Sequence, residues 1–220
     1  MIDDIKRRVW SIVAGKEEEK PKQEEENEDK KVIVIERGGN SDPEPDIRTI
    51  GLFTDITEEK IAEIVQALLY LNEVNKLAED DDRRPIEFYL STYGGNADDM
   101  FALYDIMRMV QATTPIHTIG VGKVMSAGVL LLAAGTRGER RIARNCRVML
   151  HSVSAGPGGD LPNLVNEMEA LHELQEMYIN CLVQETKMMK SDLKNMLERK
   201  VNVYLSAEKA VALGIADIIV

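Results

Sequence analysis

From Ile47 to the C-terminus the chain alternates short apolar, β-branched runs with helical stretches of period 3.6, and this alternation constrains the fold more than any other feature. Ile47 to Phe53 reads as a strand. Asp55 or Thr57 then caps a long helix with Ile61, Ile64, Val65, Leu68, Leu69 and Leu71 on one face. Ile86 to Ser91 is a strand ending at Gly94-Gly95, and Ala97 to Val110 is a helix striped by Met100, Leu103, Tyr104 and Met107. Pro115 to Val121 reads as a strand, Ser126 to Ala134 as a short apolar helix, and Arg147 to His151 as another strand. Leu161 to Met189 is a long helix and Ser191 to Arg199 a shorter one. Ser206 caps a last helix that stops at Gly214, and Ile215 to Val220 closes the chain as a strand. Strands alternating with helices define an α/β protein.

The N-terminal part is built differently. Met1 to Val13 carries Ile2, Ile5, Val9, Trp10, Ile12 and Val13 roughly at helical spacing. Lys16 to Lys31 is almost entirely Glu, Lys, Asp, Gln and Asn. Such a segment buries too little apolar surface to offset its ordering entropy and is expected to be a disordered linker. The expected organisation is residues 1–31 as an amphipathic stretch plus linker and 32–220 as the working domain, entered through a strand-like Val32 to Ile35 and a Gly38 to Pro45 loop. The 27 basic against 38 acidic residues leave a net charge of −11, which repels phosphate backbones and anionic lipid. No apolar run approaches the ~20 residues that cross a bilayer, and Met1 to Val13 lacks the apolar core of a signal peptide. Cys146 and Cys181 lack metal or redox spacing, which fits a reducing cytoplasm. No metal-ligand cluster and no cofactor is expected.

Three strand ends could carry chemistry. In Tyr93-Gly94-Gly95-Asn96, two glycines ahead of a helix let backbone N–H groups approach an anion, though the same pair also makes an ordinary tight turn. In Val124-Met125-Ser126-Ala127-Gly128, a serine between a strand and an apolar helix suits a nucleophile held on a sharp turn, with the following N–H aimed at an oxyanion. Alone, a serine there is more often a helix N-cap. His151 lies where a strand gives way to a polar, Gly-rich segment, a usual place for a working base. His117 falls mid-strand and His172 within a long helix.

Together these segments resemble the Clp protease proteolytic subunit family, ClpP. The matching stretches are Ser91-Thr92-Tyr93-Gly94-Gly95, Ser126-Ala127-Gly128 leading into Leu130 to Gly135, and Arg147 to His151. Tyr204-Leu205-Ser206-Ala207 and Gly214-Ile215-Ala216-Asp217 follow, so the resemblance covers about Ile47 to Val220. It implies a crotonase-type spiral of ββα units with a protruding strand–helix handle after Gly156 to Gly159. It implies Ser126 as nucleophile, His151 as general base, and the N–H groups of Gly95 and Ala127 as the oxyanion hole. It also implies a homo-oligomer of heptameric rings, single or doubled, and an AAA+ unfoldase that feeds unfolded polypeptide into an enclosed chamber.

The departures from the family pattern are specific. The triad Asp falls on Asn202, with Glu198 as an alternative acid, and the ring-linking Arg falls on Val201. The Met after the nucleophile is Ala127, and the family's His-Gln-Pro is His151-Ser152-Val153. A competing reading is therefore a catalytically weak subunit that assembles or regulates a mixed protease. A third, a crotonase-type acyl-CoA enzyme, shares the fold but not the serine–histidine spacing.

Overall fold

A computed structural model describes residues 47–79, 82–154, 160–198 and 201–220. The amphipathic stretch, the charged linker, the Val32 to Ile35 run, the Gly38 to Pro45 loop and the Gly156 to Gly159 turn lie outside those residues. The strands form where β-branched residues alternate with more polar ones. In β2 (Ile86–Thr92) Ile86, Phe88, Leu90 and Thr92 are buried, whereas Glu87, Tyr89 and Ser91 are less so. β2 pairs in parallel with β1 (Thr49–Leu52) on one side and with β3 (Ile116–Met125) on the other.

β3 organises the molecule. Its first half pairs with β4 (Arg141–Ile142), at Ile119 and Gly120. Its second half pairs instead with β5 (Arg147–Leu150), at Lys123 to Met125. The register against β2 shifts between the same halves, from Leu90 opposite Gly120 to Thr92 opposite Val124. Gly122, at φ 65°, sits in that irregularity, where a side chain would strain the backbone. The bend re-aims the end of β3. Among the described residues the sheet order is β1-β2-β3-β4-β7, with β7 at Ile218–Ile219, and β6 (Val203–Leu205) pairs antiparallel with β5.

The helices are α1 (Glu58–Leu77), α2 (Ala97–Val110), α3 (Ala127–Ala133), α4 (Leu161–Glu185), α5 (Lys190–Glu198) and α6 (Ala207–Ala212). Thr57 Oγ1 caps α1 through the Lys60 N–H, and Ser206 caps α6 through Lys209. All seven residues of α3 are buried, as expected of a helix that is apolar on every side. α4 is divided along its length. Tyr178, Ile179, Leu182 and Glu185 are buried, whereas Leu161, Val165 and Met168 near its start are exposed.

Two buried charge networks tie the C-terminal ends of α3 and α4 together. Arg140 donates to Ala133 O (3.0 Å) and Glu185 O (2.7 Å) and grips Asp217 through Nε (2.7 Å) and Nη2 (2.6 Å). Glu185 accepts from Tyr104 Oη (2.7 Å) and Arg108 Nη1 (3.1 Å), and Arg108 and Gln111 both donate to Ala134 O. Burial, then the Glu185 carboxylate, pushes the Tyr104 hydroxyl pKa well upward.

The α/β class is as read from the sequence, with corrections in detail. β3 runs on to Met125 instead of stopping at Val121. β4 and β6 carry no strand signal in the sequence, because two or three residues are too few to show a period of two. Leu69 is exposed, because it lies about 100° around the helix from buried Leu68. The closing strand is only Ile218–Ile219, with Ile215 and Ala216 buried ahead of it.

Candidate active site

Ser126 stands between β3 and α3 at φ 53° and ψ −126°, the only non-glycine with positive φ among the described residues. A side chain in that region is strained, so the surroundings must hold it there. The Ser126 N–H donates to Met149 O (2.8 Å), and its carbonyl accepts from the Val129 N–H (3.0 Å) and Tyr178 Oη (2.9 Å). Gly94 closes over the turn: a Cβ built on it would lie 2.6 Å from Ser126 Cβ and 2.9 Å from Met125 O. The Ser126 hydroxyl makes no cap bond with α3. The ordinary N-cap reading of this serine therefore does not hold, and its oxygen is free for another partner.

That partner is His151. β3 and β5 run parallel, with Val124 beside Val148 and Met125 beside Met149, so Ser126 and His151 follow neighbouring strand ends, one residue apart in register. His151 Nε2 lies 2.8 Å from Ser126 Oγ. This is the distance at which an imidazole can take a proton from a hydroxyl.

Gly95 and Ala127 border the same cleft. Gly95, at φ 148°, forms a bridge with Ile56 in which the Ile56 N–H donates to Gly94 O (2.7 Å) and the Asn96 N–H donates to Ile56 O (3.0 Å). The Gly95 N–H takes no part in that exchange. A Cβ on Gly95 would sit 2.3 Å from Ile56 O, so no other residue fits. Ala127 is the first residue of α3, and its N–H has no acceptor within the helix. Gly95, Ala127, Ser126 and His151 all line one cleft of about 430 Å³. Its walls include Met100 and Phe101 of α2 and Leu171, Leu174 and Tyr178 of α4, an apolar lining beside the polar pair.

Asn202 is placed by the β5–β6 register. Leu150 is opposite Val203 at the end of that ladder, and His151 and Asn202 are the next residue on each strand beyond it. Asn202 is exposed, and among the described residues Ser126 is the side chain hydrogen-bonded to the imidazole. The side chain of Glu198 lies outside the described residues. His117 faces Glu139 at 3.9 Å, and His172 lies along α4. Burial pushes the Cys146 thiol up to about 11 and raises Cys181 as well, so neither is a thiolate nucleophile at neutral pH. Among the described residues no group of His, Cys, Asp and Glu could hold a metal ion, and no helix is long and apolar enough to cross a membrane. Reading the sequence passed over Tyr178, because one tyrosine in a helical stripe looks like core packing. Its hydroxyl alone distinguishes it.

Fold and site define a class: an α/β protein whose strained strand-to-helix turn holds a serine hydrogen-bonded to a histidine at a neighbouring strand end, in one cleft with Gly95 and Ala127. The family model for Clp protease matches residues 45–220. An ATP-dependent Clp protease proteolytic subunit from Deinococcus radiodurans is 31% identical over 190 residues, covering 83% of this chain and 88% of that one. A Clp protease proteolytic subunit 1 from Prochlorococcus marinus (strain MIT 9312) is 31% identical over 192 residues, covering 84% and 93%. A subunit from Ostreococcus tauri is 30% identical over 172 residues, covering 78% and 81%. The chain belongs to the Clp protease proteolytic subunit family.

Proposed function

We propose that the chain is a Clp-type serine endopeptidase that cleaves peptides and unfolded polypeptides through an acyl-enzyme. The observation that carries this reading is the 2.8 Å contact of Ser126 Oγ with His151 Nε2 on a turn that the fold keeps strained. Ser126 Oγ attacks the scissile carbonyl while His151 Nε2 takes its proton. The oxyanion that forms is stabilised by the N–H groups of Gly95 and Ala127. Collapse of the tetrahedral intermediate breaks the C–N bond, and His151 returns the proton to the leaving amine. Water, deprotonated by His151, then attacks the acyl ester and frees Ser126. Asn202 supplies the third position: its amide oxygen can accept from Nδ1–H and fix the ring orientation, without the charge of an aspartate.

The names of the relatives call them proteolytic subunits of an ATP-dependent protease; in the same reading this chain works in an oligomer, served by an ATP-driven unfoldase, in the cytoplasm. The second reading is a catalytically weak subunit of a mixed protease, favoured by the uncharged, exposed Asn202. Hydrolysis of a short fluorogenic peptide by the purified chain, against Ser126→Ala, tests the two. Turnover that disappears in Ser126→Ala supports the peptidase. Absence of turnover and of phosphonate labelling at Ser126 supports the weak subunit.

A further inference from the structure

Apart from the His151 contact with the Ser126 hydroxyl, four restraints act on the strained main chain at Ser126, and one of them is a side-chain hydrogen bond. The Ser126 N–H to Met149 O bond is main chain, the Val129 N–H belongs to α3 itself, and Gly94 acts by contact. Tyr178 is different. It comes from α4, is 4% exposed, and sends its hydroxyl to Ser126 O at 2.9 Å. The accepting carbonyl is part of the Ser126–Ala127 peptide group. A trans peptide is planar, so its C=O and N–H point in opposite directions within one rigid unit. Whatever fixes the Ser126 carbonyl also aims the Ala127 N–H. A hydrogen bond to the carbonyl also polarises the same amide and strengthens it as a donor.

We propose that Tyr178 is a positioning residue for the oxyanion hole: its hydroxyl, delivered by α4, holds the Ser126–Ala127 peptide plane so that the Ala127 N–H faces the cleft. The assignment of Ala127 as an oxyanion donor rests on the peptidase reading above; the hold on the peptide plane does not. Burial raises the Tyr178 pKa, so the phenol stays a neutral donor across the working pH range. Val129 also donates to the carbonyl, but it moves with α3 and cannot tie that helix to α4. The position of α4 is thereby coupled to the aim of the oxyanion donor through one bond.

The test uses the full chain with Tyr178→Phe, which keeps the ring and removes the hydroxyl, and Tyr178→Met as a second variant without it. Removing an oxyanion donor outright lowers kcat about 10²–10³-fold, so losing only its aim should lower kcat roughly 10-fold, with KM within about two-fold. Phosphonate labelling of Ser126 should slow by a similar factor. Amide exchange over residues 126–130, followed by mass spectrometry, should quicken several-fold while β1 and β2 keep their protection. Unchanged kcat and unchanged exchange overturn the proposal. Faster exchange throughout the core also overturns it, since Tyr178 would then be only a packing residue. A wild type inert to the phosphonate sinks the peptidase reading; the exchange still decides the hold on the peptide plane, and an unchanged 126–130 segment overturns it.

Discussion

Ser126 holds a backbone conformation that works against folding, and the molecule retains it. A non-glycine at φ 53° carries strain of order 1–3 kcal/mol. Ser126→Gly and Ser126→Ala both remove the nucleophile, but only glycine relieves the strain. Ser126→Gly is expected to melt a few degrees above Ser126→Ala by calorimetry. Equal melting temperatures would show that the turn is not strained. Asn202 is the second residue of interest, since it and His151 are the residues just beyond the last β5–β6 pair and it carries no charge. Asn202→Asp is expected to raise peptide hydrolysis. The 10⁴-fold loss seen for the reverse change in a serine protease is the upper guide to its size. The gain should be smaller, because residue 202 is exposed and solvent screens a carboxylate there. If neither Asn202→Asp nor Asn202→Ala alters hydrolysis, residue 202 is outside the triad.

At the scale of elements, α3 depends on its neighbours. Seven residues are too few for a helix to persist alone, and none of them is charged. Its last carbonyls, Ala133 O and Ala134 O, accept from Arg140, Arg108 and Gln111. Cations are favourable at a helix C-terminus, and these are brought by other elements. Arg140 is 4% exposed, and its loss would take the guanidinium from the Ala133 and Glu185 carbonyls and leave the Asp217 carboxylate with backbone N–H donors alone. Arg140→Ala should destabilise the protein by about 3–5 kcal/mol in urea denaturation.

The Arg140 hydrogen bonds hold the Asp217 carboxyl below its ordinary range, with the Gly138 N–H adding to the effect. A carboxyl lowered in the folded state contributes stability that is present above its unfolded value of about 3.9 and lost as pH falls through the folded value. Asp217→Asn should therefore be less stable than wild type at pH 7, and the gap should narrow below about pH 4. A gap unchanged at pH 3 would separate Asp217 from this linkage.

At the scale of the whole molecule, α4 exposes Leu161, Val165 and Met168 on one stripe at spacings of four and three. Such a stripe is consistent with burial in an assembly. The expected state is a heptameric ring or a pair of stacked rings, measured by native mass spectrometry. Val201 is exposed at the position that the resemblance assigns to a ring-linking arginine, and a double ring is expected to be the less stable for its absence. Val201→Arg should shift the population toward the double ring. A monomer at micromolar concentration and neutral pH would count against the assembly.

Much of this was legible in the chain before any coordinates. The bounds of α2 follow from an Asn96 cap and a four-residue apolar stripe, both local signals. Ser126, His151, Gly95 and Ala127 sit at strand ends whose residue types announce them, and the structure brings them into one cleft. What the chain could not disclose are long-range pairings. The Ser126 hydroxyl leaves its local cap position for an imidazole 25 residues away, through the parallel register of β3 and β5. The switch of β3 from β4 to β5 depends on which neighbours the bend at Gly122 admits. Tyr178 and Arg140 look like ordinary core or surface residues in sequence. Their bonds span 52 residues to Ser126 and 77 to Asp217. Periodicity and capping are written in adjacent residues, because each element satisfies its backbone locally. The partner of a buried hydroxyl or guanidinium is chosen by whichever polar group the packed elements leave within reach, and only the tertiary structure decides that.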